Sequence, residues 1–300
     1  MSLTSVPPID FRTDRAAVAD ALEVLAARHL GGADSPVASA IRYGLQGEGK
    51  RLRAILLMAA YRAAGGRGDA SPLGAAVEVV HAYSLVHDDL PCMDDDEMRR
   101  GRATVHRVFG VRVATAAGMA MVPLAAHAAV DAAAALGLSP EQQREVVRTL
   151  MRASGAGGMI GGQLLDLEGE GLALDLAALE RIHRCKTGAL IEAATRIGAL
   201  AGGASSALLD AFGRYGAAVG LAFQIADDVL DVTGTTDELG KTAGKDVQFS
   251  KSTYPALLGI DGARARADAL VEEGCAALRA EQVLSPALER LARLVVERRS

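Results

Sequence analysis

The chain has 300 residues, a formal net charge of −5 and a composition that is 50% hydrophobic but only 3% aromatic. This length allows a large core, and the apolar bulk of Ala, Leu and Val favours close packing of helices. The acidic balance and the lack of a long Lys/Arg run argue against a nucleic-acid-binding protein. Cys92, Cys185 and Cys275 lack the spacing of a metal site, so we interpret them as reduced packing residues of a cytoplasmic protein.

No targeting or membrane segment is expected. Met1–Asp14 has neither a basic start nor an apolar run, which argues against a signal peptide. Val113–Val130 is long and apolar enough for a membrane span, but it contains Pro123 and His127 and lacks aromatic or basic anchors at both ends. We therefore predict that this stretch is a buried central helix.

Helix boundaries recur along the whole chain. Serine–proline pairs predict an N-cap followed by a proline in the first turn, and Ser139 with Gln142 forms a capping box. Glycine-rich breaks fit helix ends, and no alternating run of residues indicates a strand. We predict an all-α fold, a single domain over residues 1–300 with about ten or more helices. The serine–proline pairs lie at 35–36, 71–72, 139–140 and 285–286.

A basic group precedes the first strongly apolar helix. Gly49 is followed by Lys50, Arg51 and Arg53, and the next residues are apolar. At a helix start the dipole and the basic side chains both favour an anion. Basic helix starts are common, so this group gains meaning only beside the other charged clusters.

An aspartate cluster, Asp88, Asp89 and Asp94, follows an apolar segment and precedes the arginine pair at 99–100. On an ideal helix Asp94 would not share a face with Asp88. Pro91 interrupts helical hydrogen bonding, however, and a local bulge there would return Asp94 to the site. The cluster is either a self-neutralising surface patch or a set of metal ligands beside a bidentate anion clamp.

Lys186 falls on the apolar stripe of its helix, together with Ile182, Ala189 and Ala193. A lysine that points inward needs an anionic partner; the alternative is that its ammonium group snorkels to solvent. Gly188 allows the helix to loosen or kink at this point.

A second polar stripe consists of Gln224, Asp227, Asp228 and Asp231, at the spacing i, i+3, i+4, i+7 on an otherwise apolar helix. A helix that is apolar nearly all round is buried, so the stripe should line an internal cavity; the alternative is a solvated surface stripe. Buried carboxylates ask for a cation, and their hard oxygen ligands suit Mg²⁺. The polar stretch 233–250 follows directly and is a candidate mobile lid.

The charged groups and the apolar interior are complementary to one class of ligand. Carboxylate clusters that bind divalent metals, together with cationic side chains, suit a polyanionic head group. An apolar pocket suits a hydrocarbon tail. The sequence therefore indicates a substrate with a phosphate head and a greasy tail.

In this order, the motifs resemble those of the trans-isoprenyl diphosphate synthases, specifically the short-chain bacterial farnesyl/geranylgeranyl type. The resemblance runs from Gly49 to about Leu258 and includes several independent motifs, which makes it specific. The matching segments are 49–53, 81–94, 99–101, 161–163 with Asp166, 186–188, 223–231 and 241–251.

The resemblance implies an all-α bundle around a central cavity, usually a homodimer, with no nucleic-acid partner. It implies Mg²⁺-dependent head-to-tail condensation of isopentenyl diphosphate with an allylic diphosphate, with three metal ions when substrate is bound. The implied metal ligands are Asp88, Asp89, Asp94, Asp227, Asp228 and Asp231. The implied ligands of the allylic diphosphate are Arg99, Lys186 and Lys241, and those of isopentenyl diphosphate are Lys50, Arg53, His81 and Arg100, with Lys251 as a further substrate-binding residue.

The resemblance also implies the chemistry. Cationic groups stabilise the departing pyrophosphate, which leaves an allylic carbocation, and the isopentenyl double bond attacks it. Thr187 and Gln224 offer oxygen dipoles near that cation. Water must be excluded, since it would quench the cation.

Product length is set in this family by the residues just before the first aspartate motif, here Tyr83 and Ser84. The helical wheel favours Ser84 as the residue that faces the pocket, whereas the family pattern assigns the floor to Tyr83. A bulky Tyr resembles enzymes that stop at fifteen carbons. We therefore predict farnesyl diphosphate as the product, with geranylgeranyl diphosphate as the alternative.

Several positions depart from the family pattern. Glu48 stands where a Gly is usual, Ala54 and Ala103 replace common prolines, and Met119 replaces a common Asp, which predicts the loss of a buried polar contact. Rival interpretations are a class I terpene cyclase, a non-catalytic synthase subunit and a simple helical scaffold. The presence of both aspartate clusters and of the isopentenyl-site residues argues against each of them.

Overall fold

Helices make up almost all of the architecture. The computed structural model describes residues 10–32, 34–47, 49–233 and 252–297, and within these ranges the only strands form one short hairpin. The predicted all-α fold with ten or more helices is confirmed. The elements are α1 (Arg12–Leu30), α2 (Pro36–Leu45), α3 (Leu52–Ala63), α4 (Ser71–Asp88), β1 (Met98–Arg99), β2 (Arg102–Ala103), α5 (Val105–Phe109), α6 (Val111–Ala135), α7 (Pro140–Ser154), α8 (Met159–Glu168), α9 (Leu176–His183), a π-helical turn (Arg184–Gly188), α10 (Ala189–Ala201), α11 (Ser206–Thr233), α12 (Tyr254–Ala280) and α13 (Pro286–Val296).

Two apolar clusters hold these helices together. The first is centred on α4 and α6, with α1, α2 and α7 packed around them. The second is centred on α11, α12 and α13. Helices α3 and α10 pack against each other and contribute one face to each cluster, so they join the two halves of the core.

The serine caps were predicted correctly at three of the four serine–proline pairs. Ser35 accepts a hydrogen bond from the N–H of Ala38 at 3.1 Å, and Ser139 forms the full capping box with Gln142. The Ser285 side chain caps α13 by accepting the N–H of Leu288, without a capping box. These caps satisfy N–H groups that the first turn of a helix would otherwise leave without a partner.

The prediction is wrong at the fourth pair, because Ser71 lies inside the first turn of α4 and Ala70 occupies the cap position. The acceptor comes instead from Asp69, whose carboxylate receives the Ser71 N–H at 2.9 Å. An acidic side chain near a helix start is favourable for the same electrostatic reason as a cap.

The hairpin β1–β2 was not expected from the sequence. Met98 pairs with Ala103 and Arg99 with Arg102, and the turn between them places Arg100 and Gly101 at positive φ of 52° and 73°. Strands of two residues carry no alternating pattern, so only the glycine of the turn could have indicated them. The hairpin holds the arginine pair beside the end of α4.

Helix α6, Val111–Ala135, contains the stretch that was predicted to be a buried helix. By length and composition it is the one helix of the described ranges that could cross a membrane. It packs against α2, α4, α5 and α7, the contacts of a core helix, and ten of its residues are buried. A buried helix of a globular core passes the same compositional test, so no span is indicated.

One side of α6 remains exposed and apolar. Val111, Met119 and Val130 are 45%, 66% and 41% exposed. The expected loss of a buried polar contact at Met119 is therefore wrong, because this position faces outward.

The cysteines differ in their surroundings. Cys275 is buried and Cys185 is partly buried, as expected of packing residues. Cys92 is exposed in the turn that follows α4, so the packing interpretation is wrong there. Proline at position 91 ends the helix and turns the next side chain away from the core.

A close backbone approach joins α10 to α3. A Cβ atom on Gly198 would lie 2.1 Å from the carbonyl oxygen of Leu57, far inside van der Waals contact. Glycine at this position therefore allows the two helices to meet at backbone distance. That contact sets the spacing between the two halves of the core.

We predict that Gly198→Ala lowers the free energy of unfolding by roughly 1–3 kcal/mol, because the methyl group forces the helices apart. Helix propensity alone would have the opposite sign, a gain of about 1 kcal/mol for Gly to Ala. Gly32→Ala is the control, since a Cβ there meets nothing within 4 Å. Denaturant unfolding measures both variants, and a stabilised Gly198→Ala would contradict the close approach.

Candidate active site

A cavity of about 1290 Å³ opens between the helices. Its walls come from the starts of α1 and α3, the ends of α4 and α11, one face of α8, the π-helical turn and part of α13. Charged side chains from both aspartate clusters and apolar side chains from α8 and α13 share this one space. The predicted internal cavity is therefore present.

The first aspartate cluster forms where α4 ends. Pro91 stops the helix, and the chain turns back so that the N–H of Asp94 donates to the carbonyl oxygen of Asp88 at 2.9 Å. Asp94 thus lies beside Asp88, although the ideal helical wheel separates them. A complete turn replaces the local bulge that the sequence suggested.

Asp88 lines the cavity in a poorly solvated position. Burial raises the pKa of Asp88 to about 6, the nearby Lys186 ammonium opposes this shift, and the negative charge of Asp94 adds to it. Burial disfavours the charged form of any carboxyl group, and a like charge has the same effect. Negative charge at this position therefore calls for a cation.

Asp89 is already compensated within the protein. The Arg99 guanidinium donates to Asp89 Oδ1 from Nε at 2.6 Å and from a terminal nitrogen at 2.5 Å, and it also contacts Asp96 at 3.4 Å. Burial nevertheless raises the pKa of Asp89. Arg99, predicted to clamp a diphosphate directly, is held by these two carboxylates and is not part of the cavity wall.

A second group of cavity-lining side chains is basic and consists of Lys50, Arg53, His81 and Arg100. The positive charges of Arg53 and Arg100 both act on His81, so these side chains lie close together. The structure thereby brings together the four residues that the resemblance assigned to isopentenyl diphosphate.

Arg51 explains why its neighbours face the cavity. It adopts a left-handed conformation with φ of 50°, and its guanidinium donates to the Gly47 carbonyl oxygen at 2.8 Å and contacts Glu78 at 3.6 Å. Glu78 is buried and also accepts the N–H of Ala54 at 3.2 Å. A proline at position 54, which the family resemblance led us to expect, could not make that hydrogen bond. Glu78 was not identified from the sequence, where its only signal was an acidic residue within an apolar helix.

Two members of the basic group, His81 and Arg53, are poorly solvated. Burial and the neighbouring Arg53 hold the pKa of His81 well below its usual range, and burial lowers the pKa of Arg53. Arg53 Nε is buried and has no hydrogen-bond partner among the described residues. A bound anion would relieve both the desolvation and the mutual repulsion.

Lys186 has the anionic partner that its inward position requires. Its Nζ donates to Asp166 Oδ2 at 2.7 Å, and the side chain also lines the cavity near Asp88. The π-helical turn presents it, so the loosening predicted near Gly188 is confirmed. Gly162 lets α8 approach closely, since a Cβ there would lie 2.2 Å from the Lys186 backbone nitrogen.

The second aspartate cluster divides into two kinds of position. Gln224 and Asp227 line the cavity, whereas Asp228 and Asp231 are buried. Asp228 accepts three hydrogen bonds, from His183 Nε2 at 3.1 Å, from Gln224 Nε2 at 3.2 Å and from the Tyr254 N–H at 3.1 Å. The four predicted residues share one region of α11, but Asp228 is satisfied by protein donors. Its direct metal contact stays a prediction.

The aspartates form a donor set that suits a divalent cation. Asp88 and Asp227 reach the same cavity from α4 and α11, and Asp231 Oδ2 is buried with no hydrogen-bond partner in the described ranges. Within those ranges no three acidic, histidine or cysteine side chains lie close enough to hold an ion by themselves. Oxygens of a bound diphosphate would complete the coordination between the two clusters.

Tyr83 and Ser84 both line the cavity. The Tyr83 ring packs edge-on against His87, with centroids 4.9 Å apart, and Ser84 donates its hydroxyl proton to the carbonyl oxygen of His81 at 2.8 Å. Tyr83 is therefore not excluded by the helical wheel, and it is the bulkier of the two. Its role as the floor stays a prediction.

Some predicted residues lie outside the described ranges. Lys241 and Lys251 fall there, as do Glu48 and nearly all of the candidate lid at 233–250.

Comparison with known proteins identifies the family. A model described as polyprenyl synthetase matches residues 34–287. The chain belongs to this family. It is 47% identical to the farnesyl diphosphate synthase of Escherichia coli (strain K12), over 88% of this chain and 90% of that protein. It is 44% identical to geranylgeranyl pyrophosphate synthase 7, chloroplastic, of Arabidopsis thaliana, over 78% of this chain and 68% of that protein.

Solved structures agree with this family assignment. The fold matches a geranyltransferase from Helicobacter pylori, complexed with magnesium and isoprenyl diphosphate, with a TM-score of 0.81 and 30% identity over 99% of this chain and 98% of that one. The resemblance inferred from the motifs is thus confirmed. This polyprenyl synthetase is a prenyltransferase that joins prenyl diphosphates head to tail.

We predict that His81 stays neutral through the physiological pH range. Its folded-state pKa lies below the unfolded value of about 6.5, so the unfolded chain binds this proton first. The stability contributed by this difference is present above that pH and is lost as pH falls. Between pH 7 and 5.5 the free energy of unfolding should fall by about 1 kcal/mol more for the wild type than for His81→Gln. Denaturant titrations at both pH values measure this, and equal losses would contradict it.

Proposed function

We propose that the enzyme condenses isopentenyl diphosphate with dimethylallyl and then geranyl diphosphate and stops at farnesyl diphosphate. One observation carries the proposal: one aspartate of each cluster, Asp88 and Asp227, and the basic group around His81 line one cavity that also has apolar side chains from α8 and α13 in its wall. Such a space suits two diphosphate heads and a hydrocarbon tail. The high identity to the E. coli farnesyl diphosphate synthase supports the fifteen-carbon product. Geranylgeranyl diphosphate is the alternative, since a synthase of that product is also a relative.

The aspartates would hold magnesium, in three ions when substrate is bound. Metal ions held by these residues would supply the neutralisation of diphosphate charge that favours departure of pyrophosphate. Asp88 and Asp227 are the members on the cavity wall, and Lys186 stands beside Asp88 with its charge directed to the same space. We include Lys241 among the allylic diphosphate ligands and Lys251 among the substrate-binding residues, on the family pattern alone. The proposed metal ligands are Asp88, Asp89, Asp94, Asp227, Asp228 and Asp231.

The basic group would bind the second substrate. Lys50, Arg53 and Arg100 supply positive charge for the diphosphate of isopentenyl diphosphate, and the neutral His81 supplies a neutral hydrogen-bonding group. This anion would provide a hydrogen-bond acceptor for Arg53 Nε, which has none among the described residues. The double bond of isopentenyl diphosphate would thereby face the allylic carbon.

The bond changes are balanced without any other reactant. The allylic C–O bond breaks and pyrophosphate keeps the electron pair, the isopentenyl double bond forms the new C–C bond, and the released pyrophosphate takes the proton that restores a double bond. Thr187 and Gln224 line the cavity and present oxygen atoms to the electron-poor carbon. The apolar wall keeps water from the cation.

The direct test is incubation with Mg²⁺, labelled isopentenyl diphosphate and either dimethylallyl or geranyl diphosphate. After phosphatase treatment we expect farnesol as the main labelled alcohol. A hydrocarbon formed from the allylic substrate alone would indicate a cyclase instead. No labelled product, with folded protein, would leave the non-catalytic subunit as the interpretation.

We predict that Tyr83→Ala lengthens the product, because removing the ring opens the cavity beyond the tail of farnesyl diphosphate. Ser84→Ala is the matched control, since it removes little volume from the next position on the same helix. Chromatography of the dephosphorylated alcohols should show twenty-carbon or longer products only for Tyr83→Ala. An unchanged profile for that variant would mean that Tyr83 is not the floor.

We propose that the protein is a cytoplasmic homodimer with a single domain over residues 1–300. The exposed apolar side of α6, with Val111, Met119 and Val130, is a surface that a second copy would cover. Analytical ultracentrifugation should give the mass of a dimer, and Met119→Glu should shift it towards the monomer. A monomeric wild type at micromolar concentration would refute the dimer.

A further inference from the structure

A ladder of two polar contacts joins the end of α9 and the π-helical turn to α11. One rung is the hydrogen bond from Thr187 Oγ1 to Gln224 Oε1 at 2.8 Å. The other joins His183 Nε2 to Asp228 Oδ2 at 3.1 Å. The two contacts are one helical turn apart, since His183 and Thr187 are four residues apart and so are Gln224 and Asp228. The hydrogen bond from Gln224 Nε2 to Asp228 Oδ1 at 3.2 Å connects them along α11. His183 does not line the cavity and is not among the residues proposed to bind substrate or metal.

The direction of every hydrogen bond in the ladder follows from the chemistry of the groups. Asp228 accepts the N–H of Tyr254 on Oδ2 and the amide of Gln224 on Oδ1, so its carboxylate acts as an acceptor throughout. His183 Nε2 must therefore carry the proton of the contact that it makes. The nitrogen of the Gln224 amide must face Asp228, which turns its carbonyl oxygen towards Thr187.

The hydrogen bond between Thr187 and Gln224 determines which atoms of Thr187 are available to a ligand in the cavity. The Gln224 carbonyl can only accept, so the Thr187 hydroxyl gives its single proton to it. The remaining lone pairs of Thr187 Oγ1 are then the only polar feature that this side chain can offer to a ligand. Thr187 and Gln224 both line the cavity, where an electron-poor carbon would be stabilised by an oxygen that cannot turn its proton inwards.

His183 is built into this arrangement. It is 8% exposed, its ring stacks on Tyr254 with centroids 5.7 Å apart, and it is the last residue of α9 before the π-helical turn that carries Thr187. Asp228 is 3% exposed. Buried hydrogen-bond networks of this kind hold a unique arrangement only when every member is satisfied. Without the histidine donor, Asp228 loses one of its partners and can reorient.

We propose that His183 is a positioning residue for the condensation: through Asp228 and Gln224 it fixes the direction in which Thr187 presents its oxygen to the allylic carbon. The proposal rests on the proposed function of this site. His183 touches neither substrate nor metal in this scheme. Because Asp228 is also among the proposed metal ligands, the rates are compared at saturating Mg²⁺, where the effect of His183 should appear in the chemical step rather than in the binding of either diphosphate.

The test compares His183→Leu, which removes the donor, with His183→Gln, whose amide can still donate to Asp228. For His183→Leu we expect kcat to fall on the order of 10-fold or more, with the KM of both substrates nearly unchanged, as for loss of a preorganised dipole. His183→Gln should recover most of kcat. His29→Leu is the control, since it removes another histidine–aspartate contact, to Asp131 at 3.5 Å, and neither of these residues lines the cavity.

A double-mutant cycle separates positioning from general loss of structure. If His183 acts through Thr187, His183→Leu should add little to the loss in kcat already caused by Thr187→Val. Additive losses, no rescue by His183→Gln, or a kcat of His183→Leu equal to wild type would each overturn the proposal. Wild-type protein that forms no prenyl product would overturn the proposed function as well, so the two failures are distinguishable.

Discussion

The energetic cost of placing charge in a poorly solvated cavity governs this structure. Carboxylates and guanidinium groups are brought towards the same apolar interior, where each would prefer its neutral form or a partner of opposite charge. Some charges are paired within the protein, as in the Lys186–Asp166 and Arg99–Asp89 contacts. Others are compensated incompletely, as the raised pKa of Asp88 and the lowered pKa of His81 show. The aspartate side of the cavity therefore favours binding of cations, and the side with the basic group favours binding of anions. A metal-bound diphosphate and a second diphosphate would meet these two requirements.

Irregular backbone delivers the charged groups to this space. Asp94 arrives through the turn after α4, Lys186 through the π-helical turn, and Lys50 and Arg53 flank the left-handed Arg51. Regular helices pack the core and set the distances between its elements. The irregular segments orient the charged side chains towards the cavity. This division agrees with the general observation that π turns and left-handed residues gather at functional sites.

Much of this was accessible from the sequence, and the remainder fails for identifiable reasons. Helical periodicity and caps gave the fold class, because they depend on local spacing. The inward Lys186 and the polar stripe on α11 were found because a charged residue on an apolar face has few explanations. The sequence did not indicate the pairing of Arg99 with Asp89 or the burial of Asp228, because both depend on contacts between distant segments. The hairpin and Glu78 were missed because two-residue strands and a single acidic residue carry no periodic signal.

The π-helical turn has a consequence for how the protein can change over evolutionary time. One additional residue in a helix rotates everything beyond it by about 100°, so the helical registers of α9 and α10 are set independently on either side of the turn. Substitutions that repack α10 against α3 need not rotate Lys186. Substitutions in α9 need not disturb the part of the core that α10 forms. The turn thus allows core residues of α10 to be substituted while Lys186 and Thr187 keep their orientation towards the cavity.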